Sequence, residues 1–418
     1  MSLLRRHEKG AVATVVALLM GFGVVFGVLA VGVDVGNLLW ERRQLQNASD
    51  AAVLSLAVEC GKGNCTTTAG DTTSFANANS NDALSTVVSK CSVNVPGSGL
   101  PACAAPASGL TDCPALPPAM ASMSGLPYVE VRTASLSGGG SFVQNWFAGI
   151  SGGSDSSQTQ VHACSRAAIG APASGTGDVP LTFSACDWQH ATGGTTGGGG
   201  GAYYTSPVYN GANAVGYGGA GQPPWPAAAA TPPAQTPGGE VILLAQNPPG
   251  GATMPTPCPS WNGHALPGGF GVLETVSGDD CQFVEYTHHW MHSSTGNNTA
   301  CDLSAAVGKV INLPIFDCTA DTMPGTGVTG LPCDTGNGSN AYYHRVGFAS
   351  FYLSGYSLNV TTGLPNKVKS LVSGNFPCNG SDRCISGWFL TGELSATAIS
   401  GPPSGSGSFG TFAVVPAG

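Results

Sequence analysis

AVATVVALLMGFGVVFGVLAVGV, running from Ala11 to Val33, is the stretch from which the rest of the chain has to be read. Its twenty-three residues carry no charge. About 20 apolar residues suffice for a helix to cross a hydrocarbon core of roughly 30 Å. The short segment in front of it, residues 1–10, holds Arg5, Arg6 and Lys9. A secretory signal also combines a basic start, an apolar run and small residues, and Val28-Leu29-Ala30 would serve as a cleavage site. The run is nevertheless longer than the roughly 7–15 apolar residues of a signal, so a retained anchor is the expectation.

Beyond the run the same helix continues. From Leu38 to Val58 the sequence LLWERRQLQNASDAAVLSLAV has neither Gly nor Pro. Leu38, Leu45, Ala48, Ala52 and Leu56 recur at helical spacing and define one apolar face. Residues 11–58 thus read as one rod, greasy at its start and amphipathic at its end, about 70 Å long. Gly21, Gly23, Gly27, Gly32 and Gly36 allow helices to approach closely in lipid. Leu45, Ala48 and Ala52 are expected to pack on a partner helix outside the membrane. Asp34 stands at the outer edge of the run, where interfacial solvation is the simplest account and helix–helix registration the alternative.

Basic residues on the two sides of the run, Arg5, Arg6 and Lys9 against Arg42, Arg43 and Lys62, do not decide its orientation. Cysteine does. All 14 cysteines lie beyond the run, from Cys60 to Cys384. An even number confined to one side of a membrane segment reads as disulfides in an oxidising space. The expected location is therefore the cell membrane, single-pass, with residues 1–10 cytoplasmic and the C-terminal region extracytoplasmic. Cys60 with Cys65, Cys103 with Cys113, and Cys378 with Cys384 are short-range candidates, and the connectivity stays open. No tight C-x-x-C pair supports structural zinc.

Charged residues make up 9% of the 418, with 62 Gly and 30 Pro, against about 25% charged in ordinary soluble domains. The net charge of −9 leaves nucleic-acid binding without electrostatic support. Residues 59–177 read as a Cys- and Pro-containing stalk or first extracytoplasmic subdomain. Within it a short helix is expected between Asn77 and Cys91 (Ala83, Leu84, Val87, Val88), a strand at Tyr128–Arg132, a short helix at Phe142–Ile150, and a strand-like start at Gln158–Ile169. Residues 178–418 read as a β-rich domain. VILLAQ (241–246), GVLETV (271–276), GKVINLPIFD (308–317), HRVGFASFYL (344–353) and CISGWFL (384–390) supply strands, and DVPLTFSACDW (178–188) joins them. HRVGFASFYL is apolar on both alternating sets, as a central strand covered on both faces would be. Turn residues between the strands favour a mainly antiparallel arrangement. Residues 191–239 hold 21 Gly and Pro among 49 and no charge, which reads as a low-complexity insertion.

The N-terminal block resembles TadE/TadG-like proteins of the Flp (tight-adherence) pilus assembly system. The marks are Lys9-Gly10, the apolar run, Val33-Asp34-Val35-Gly36, Arg43-Gln44-Leu45-Gln46-Asn47-Ala48 and Asp50-Ala51-Ala52. PLTFSACDW, GVLET, VGKVINLPIFD, YYHRVGFASFYLSGY and CISGWFL resemble the ectodomain of the actinobacterial type. In prepilins a Glu follows the cleavage-site Gly by five residues; Val15 occupies that place here. The resemblance implies a membrane-anchored accessory or minor pilin-like component of pilus assembly. Its expected partners are membrane lipid and other pilus-assembly membrane proteins or pilins.

No motif argues for catalysis. Gly149-Ile150-Ser151-Gly152-Gly153 fits the nucleophile-elbow pattern but lacks a helix after it. Asp334-Thr335-Gly336 has no second copy to share a proton and reads as a turn with Asn337 and Gly338. Asp155-Ser156-Ser157-Gln158-Thr159 has the wrong spacing for the metal site of von Willebrand A domains. In His288, His289 and His292 (HHWMH), His288 and His292 would share a face on a helix and could hold a metal, but no H-E-x-x-H glutamate accompanies them; a loop or strand is expected. The reading is a structural, non-enzymatic protein with no cofactor and no metal. The alternatives are a stalk-anchored surface hydrolase using Ser151 and an adhesin released after Ala30. The fold class is α+β: a transmembrane helix continuing into an amphipathic helix, then a disulfide-containing, mainly antiparallel β-rich ectodomain.

Overall fold

The computed structural model describes residues 4–80, 83, 85–103, 113–121, 123, 125–135, 143–144, 158–159, 161–173, 175, 177–192, 240–246, 271–276, 281–285, 289–294, 298–299, 301–323, 341–360, 363–371, 373–378, 382–396, 398–401 and 408–418. The helices are α1 (Leu4–Gly61), α2 (Thr72–Ala78), α3 (Pro118–Ala121) and α4 (Ala185–Thr192). The strands are β1 (Ser85–Val93), β2 (Tyr128–Ser135), β3 (Val143–Gln144), β4 (Gln158–Thr159), β5 (His162–Pro172), β6 (Phe183–Ser184), β7 (Val241–Gln246), β8 (Trp290–His292), β9 (Asn298–Thr299), β10 (Val310–Ala320), β11 (Tyr342–Ser357), β12 (Asn359–Val360), β13 (Lys367–Val368), β14 (Arg383–Leu390), β15 (Gly392–Glu393), β16 (Ile399–Gly401) and β17 (Thr411–Pro416).

The long rod is present. α1 is one unbroken helix of 58 residues, about 87 Å at 1.5 Å per residue. Among the described residues no helix is long and apolar enough to cross a membrane; within the run the side chains of residues 11, 19, 22–28, 30 and 31 lie outside the described ones. The helix stops at Gly61, where the chain turns through Gly63 at φ +84° and Cys60 bonds to Cys65. The returning loop brings Gly70, at φ +77°, against the backbone of Leu56. A Cβ there would lie 2.9 Å from Leu56 Cα, so only glycine fits both the conformation and the space.

Among the described residues two larger sheets dominate the β-rich part, beside the two-stranded pairs β3-β4 and β9-β12. The first has strand order β1-β2-β5-β17-β15, with β16 also on β5. The second has order β6-β10-β11-β14-β7, with β8 and β13 also on β11. Most strand pairings are antiparallel, as expected, but both large sheets are mixed: β6 pairs with β10 and β15 with β17 in parallel, as does β9 with β12. β11 is central, and both its faces are covered as its two-sided apolar pattern requires. One face joins Phe351, Leu353, Leu313, Ile315 and Phe389 in a core with Trp188. The other places Phe316, Tyr343 and Phe348 together, and Tyr352 stacks on Trp388 with ring centroids 4.5 Å apart.

Several expectations are corrected. The boundary at 177/178 does not separate the sheets: β17 pairs antiparallel with β5, so the last strands complete the first sheet. Residues 59–177, read as a stalk or first subdomain, supply β1, β2 and β5 of that sheet. Val87 and Val88 lie on β1, not on a helix; the helix falls earlier, at α2. A short run with apolar residues at several spacings satisfies either period, and here pairing with β2 decides it. Val143-Gln144 is extended and pairs with β4; the rest of the expected helix, 145–150, lies outside the described residues. The strand-like first half of Gln158–Ile169 is found as β4 and the start of β5, which runs on to Pro172. GVLETV makes isolated bridges at Val272, Leu273 and Thr275 instead of a regular strand. DVPLTFSACDW gives β6 and then α4, which opens on a capping box. Ser184 Oγ accepts from the Asp187 N–H at 3.0 Å, and the Asp187 carboxylate accepts from the Ser184 N–H at 3.2 Å. Residues 193–239, the bulk of the low-complexity insertion, lie outside the described residues.

Five disulfides have both partners described: Cys60–Cys65, Cys91–Cys103, Cys113–Cys164, Cys281–Cys301 and Cys378–Cys384; Cys186 and Cys318 are disulfide-bonded too. Two short-range candidates are found as expected. Cys103–Cys113 is not, because the β1 edge holds Cys103 beside Cys91 through the Cys103 N–H to Ser92 carbonyl bond of 3.2 Å.

Candidate functional site

The residues singled out on the long helix converge on its junction with the first sheet. Leu45, Ala48, Ala52 and Leu56 are buried, so the predicted face is real. Its occupant is the chain's own sheet, which corrects the expectation of a partner helix at Leu45, Ala48 and Ala52. Ala48, Ala52, Val53 and Leu56 pack on Val129 and Val131 of β2, Ala167 and Ile169 of β5, and Phe412 of β17. Leu45, with Leu38 beside it, packs on Val161 and Ala163. Small residues at 48, 49 and 52 let the helix lie close enough for polar side chains to bridge to the sheet.

Those bridges are specific. Ser49 Oγ donates to the Val131 carbonyl at 3.0 Å. Thr133 Oγ1 donates to the Leu45 carbonyl at 3.2 Å. Gln46 Nε2 donates to Ser165 Oγ at 2.7 Å and to Asp50 Oδ1 at 3.0 Å, and Ser165 Oγ donates to Asp50. On the far face of the sheet, alternation places Glu130 and Arg132 opposite Val129 and Val131. Glu130 accepts from Arg132 Nη2 at 2.6 Å and from Arg166 Nε at 2.9 Å. Glu130 and Arg132 are both buried, so the pairing satisfies charges that would be costly alone.

Asp34 is buried, at 9% exposure. It lies fourteen residues before Ala48, about four turns along the same flank. Gly21 is exposed, with open space where a side chain would stand. Gly23 and Gly27 lie on α1, and their surroundings fall outside the described residues. The opposite flank of α1 is uncovered at Val33, Val35, Leu39 and Trp40. Near the top of the helix, Ala51, Leu54 and Val58 line a cleft with Phe75 of α2. Lys62, hydrogen-bonded to Glu59 at its rim, holds that carboxyl below its ordinary range.

The histidine group lies elsewhere, on the second sheet. Trp290 and His292 are on β8, not on a helix, and His289 precedes it at φ +63°; His288 lies outside the described residues. His292 Nδ1 is 3.2 Å from Glu274, and His344 Nδ1 is 2.8 Å from Asp317. Arg345 Nη2 donates to Glu285 at 2.7 Å, with His289 Nδ1 2.7 Å from each. Each of these histidines thus has its own carboxylate, and among the described residues they assemble no shared centre. Asp317 and His344 lie near Cys318 in a geometry open to a metal, but Cys318 is disulfide-bonded and offers no thiolate. Ser151, Asp155 and the Asp334 turn lie outside the described residues.

The ion group beneath the helix has no signature in the sequence. Glu130 and Arg132 alternate with valines on a strand, which reads as a solvated face; only the return of Arg166 and the packing around them bury it.

Residues 10–58, nearly all of α1, match the family model described as putative Flp pilus-assembly TadE/G-like. No curated protein and no solved structure matches the chain.

Proposed function

We propose that this chain, whose long helix carries a TadE/G-like Flp pilus-assembly segment, is a membrane-anchored, extracytoplasmic accessory or minor pilin-like component of that assembly. Its role is structural and non-catalytic. The observation that carries this reading is the two-part use of one helix. Before Asp34, Val12, Val15, Val16, Leu18, Met20, Leu29 and Val33 are exposed apolar side chains; after Leu38 the same helix is the spine of the first sheet. A soluble protein has no use for so long an apolar surface, whereas a bilayer does. The disulfides of the β-rich part suit an oxidising compartment. The rod supports rigid transmission: displacement of the anchor within the membrane carries the sheet with it, since the two share one helix and its hydrogen bonds.

Membrane fractionation tests the anchor. The full chain should stay with membranes through alkaline carbonate extraction, and protease added outside the membrane should remove the β-rich part. Deletion of the gene should lower the yield of sheared Flp pili. Release into the soluble fraction with a new N-terminus at Val31 would replace the anchor with a cleaved signal. Unchanged piliation would remove the assembly role.

A further inference from the structure

We propose that Trp40, Arg42 and Arg43 form a collar that seats the protein on anionic phospholipid headgroups; this rests on the membrane-anchored reading above and extends it. The apolar surface of α1 does not end with the uncharged run. Val33, Val35 and Leu39 remain exposed, Leu39 at 55%, while Asp34, the one charge among them, is buried. Lipid contact therefore continues past Asp34 without exposing a carboxylate to hydrocarbon. From Ala11 to Leu39 is twenty-nine residues, or about 43 Å of helix, which matches the roughly 40–45 Å of a bilayer with its headgroup layers. Lys9 then stands at one surface and Trp40 at the other.

Trp40 is 56% exposed and sits where an indole with an apolar body and a polar N–H belongs, in the headgroup layer. Arg42 and Arg43, just beyond it on the helix, belong to a chain of net charge −9; Arg42 is exposed, and Arg43 is the next residue along. Guanidinium groups bind phosphate in a planar, two-pronged fashion, so the headgroup class is the anionic phosphodiester. The sheet begins at the same level, because Leu38 already packs beside Leu45, Val161 and Ala163. The ectodomain consequently rests on the membrane surface with no free stalk between them.

The test uses the full chain reconstituted in vesicles in which one lipid class alone is brominated. The signal of Trp40 is the difference between the wild type and Trp40→Phe. Brominated phosphatidylglycerol, at the same mole fraction as brominated phosphatidylcholine, should quench that signal about two-fold more or better. The double substitution Arg42→Gln with Arg43→Gln should remove the excess. Equal quenching by the two lipids would overturn the collar and leave the anchor standing. Quenching by neither, with the protein nonetheless floating with the vesicles, places Trp40 outside the lipid and also overturns the collar. Protein that fails to float with the vesicles would overturn the anchored reading itself.

Discussion

Ser49 on the long helix donates its hydroxyl to the backbone carbonyl of Val131 over 3.0 Å, and both groups are buried although 82 residues separate them. That bond fixes the helix to the second strand of the sheet. It lies at the centre of the apolar contact made by Ala48, Ala52 and Val53. The junction therefore ties the helix to the first sheet, and substitutions there act on stability before they act on any partner.

Ala52→Glu places an unpaired charge where the native side chain is wholly buried, and should cost several kcal/mol. Leu56→Ala should cost about 2–5 kcal/mol through the cavity it leaves. Denaturant midpoints of the purified chain in detergent measure both. A midpoint unchanged in Ala52→Glu would mean that the helix does not pack on this sheet.

Glu130→Gln leaves Arg132 buried beside a neutral amide, and should destabilise by about 3–5 kcal/mol. Replacing Glu130 and Arg132 together by Met should recover part of that loss, since Arg132 is then no longer a buried unpaired charge, while Arg166 keeps its bond to the Pro114 carbonyl. A double-mutant cycle on the thermal midpoint reads the coupling. Additive effects of the two replacements would show that the pair is not formed.

The cysteine pairing is open to direct mapping. Non-reducing peptide analysis should recover Cys91 linked to Cys103 and Cys113 linked to Cys164, and no Cys103–Cys113 peptide. The Cys113–Cys164 bond closes 51 residues, so replacing both cysteines by Ser should lower stability by about 2–4 kcal/mol.

Burial pushes the Asp187 carboxyl up from 3.8 to about 6, against the opposing bonds from Ser184. Between these values the folded chain holds a proton that the unfolded chain has lost. The Asp187 contribution to stability is thus greatest below pH about 4, falls as pH rises to about 6, and is level beyond. Asp187→Asn should flatten the thermal midpoint over that interval relative to the wild type. An identical slope in both would assign the pH dependence to other groups.

Legibility in the sequence tracks how local each signal is. The helical face at Leu45, Ala48, Ala52 and Leu56 is readable because its period is carried by neighbouring residues. β7, β10, β11 and β14 are readable for the same reason, each being a short apolar run between turns. Val87 and Val88 suggest a helix because so short a run satisfies two periods, and only pairing with β2 settles it as a strand. The ion group at Glu130, Arg132 and Arg166 gives no signal, since charged residues alternating with valines describe a half-exposed strand equally well.

By itself the sequence determined the long rod, its uncharged first half, the disulfide-bearing β-rich remainder and the TadE/G-like segment, because each depends on composition and spacing along the chain. Only the tertiary structure decided what the amphipathic half of the rod touches. That contact needs strands drawn from residues 85–172 and 411–416, brought side by side by hydrogen bonds between segments far apart in the chain, and no period within α1 encodes which surface will meet its apolar face.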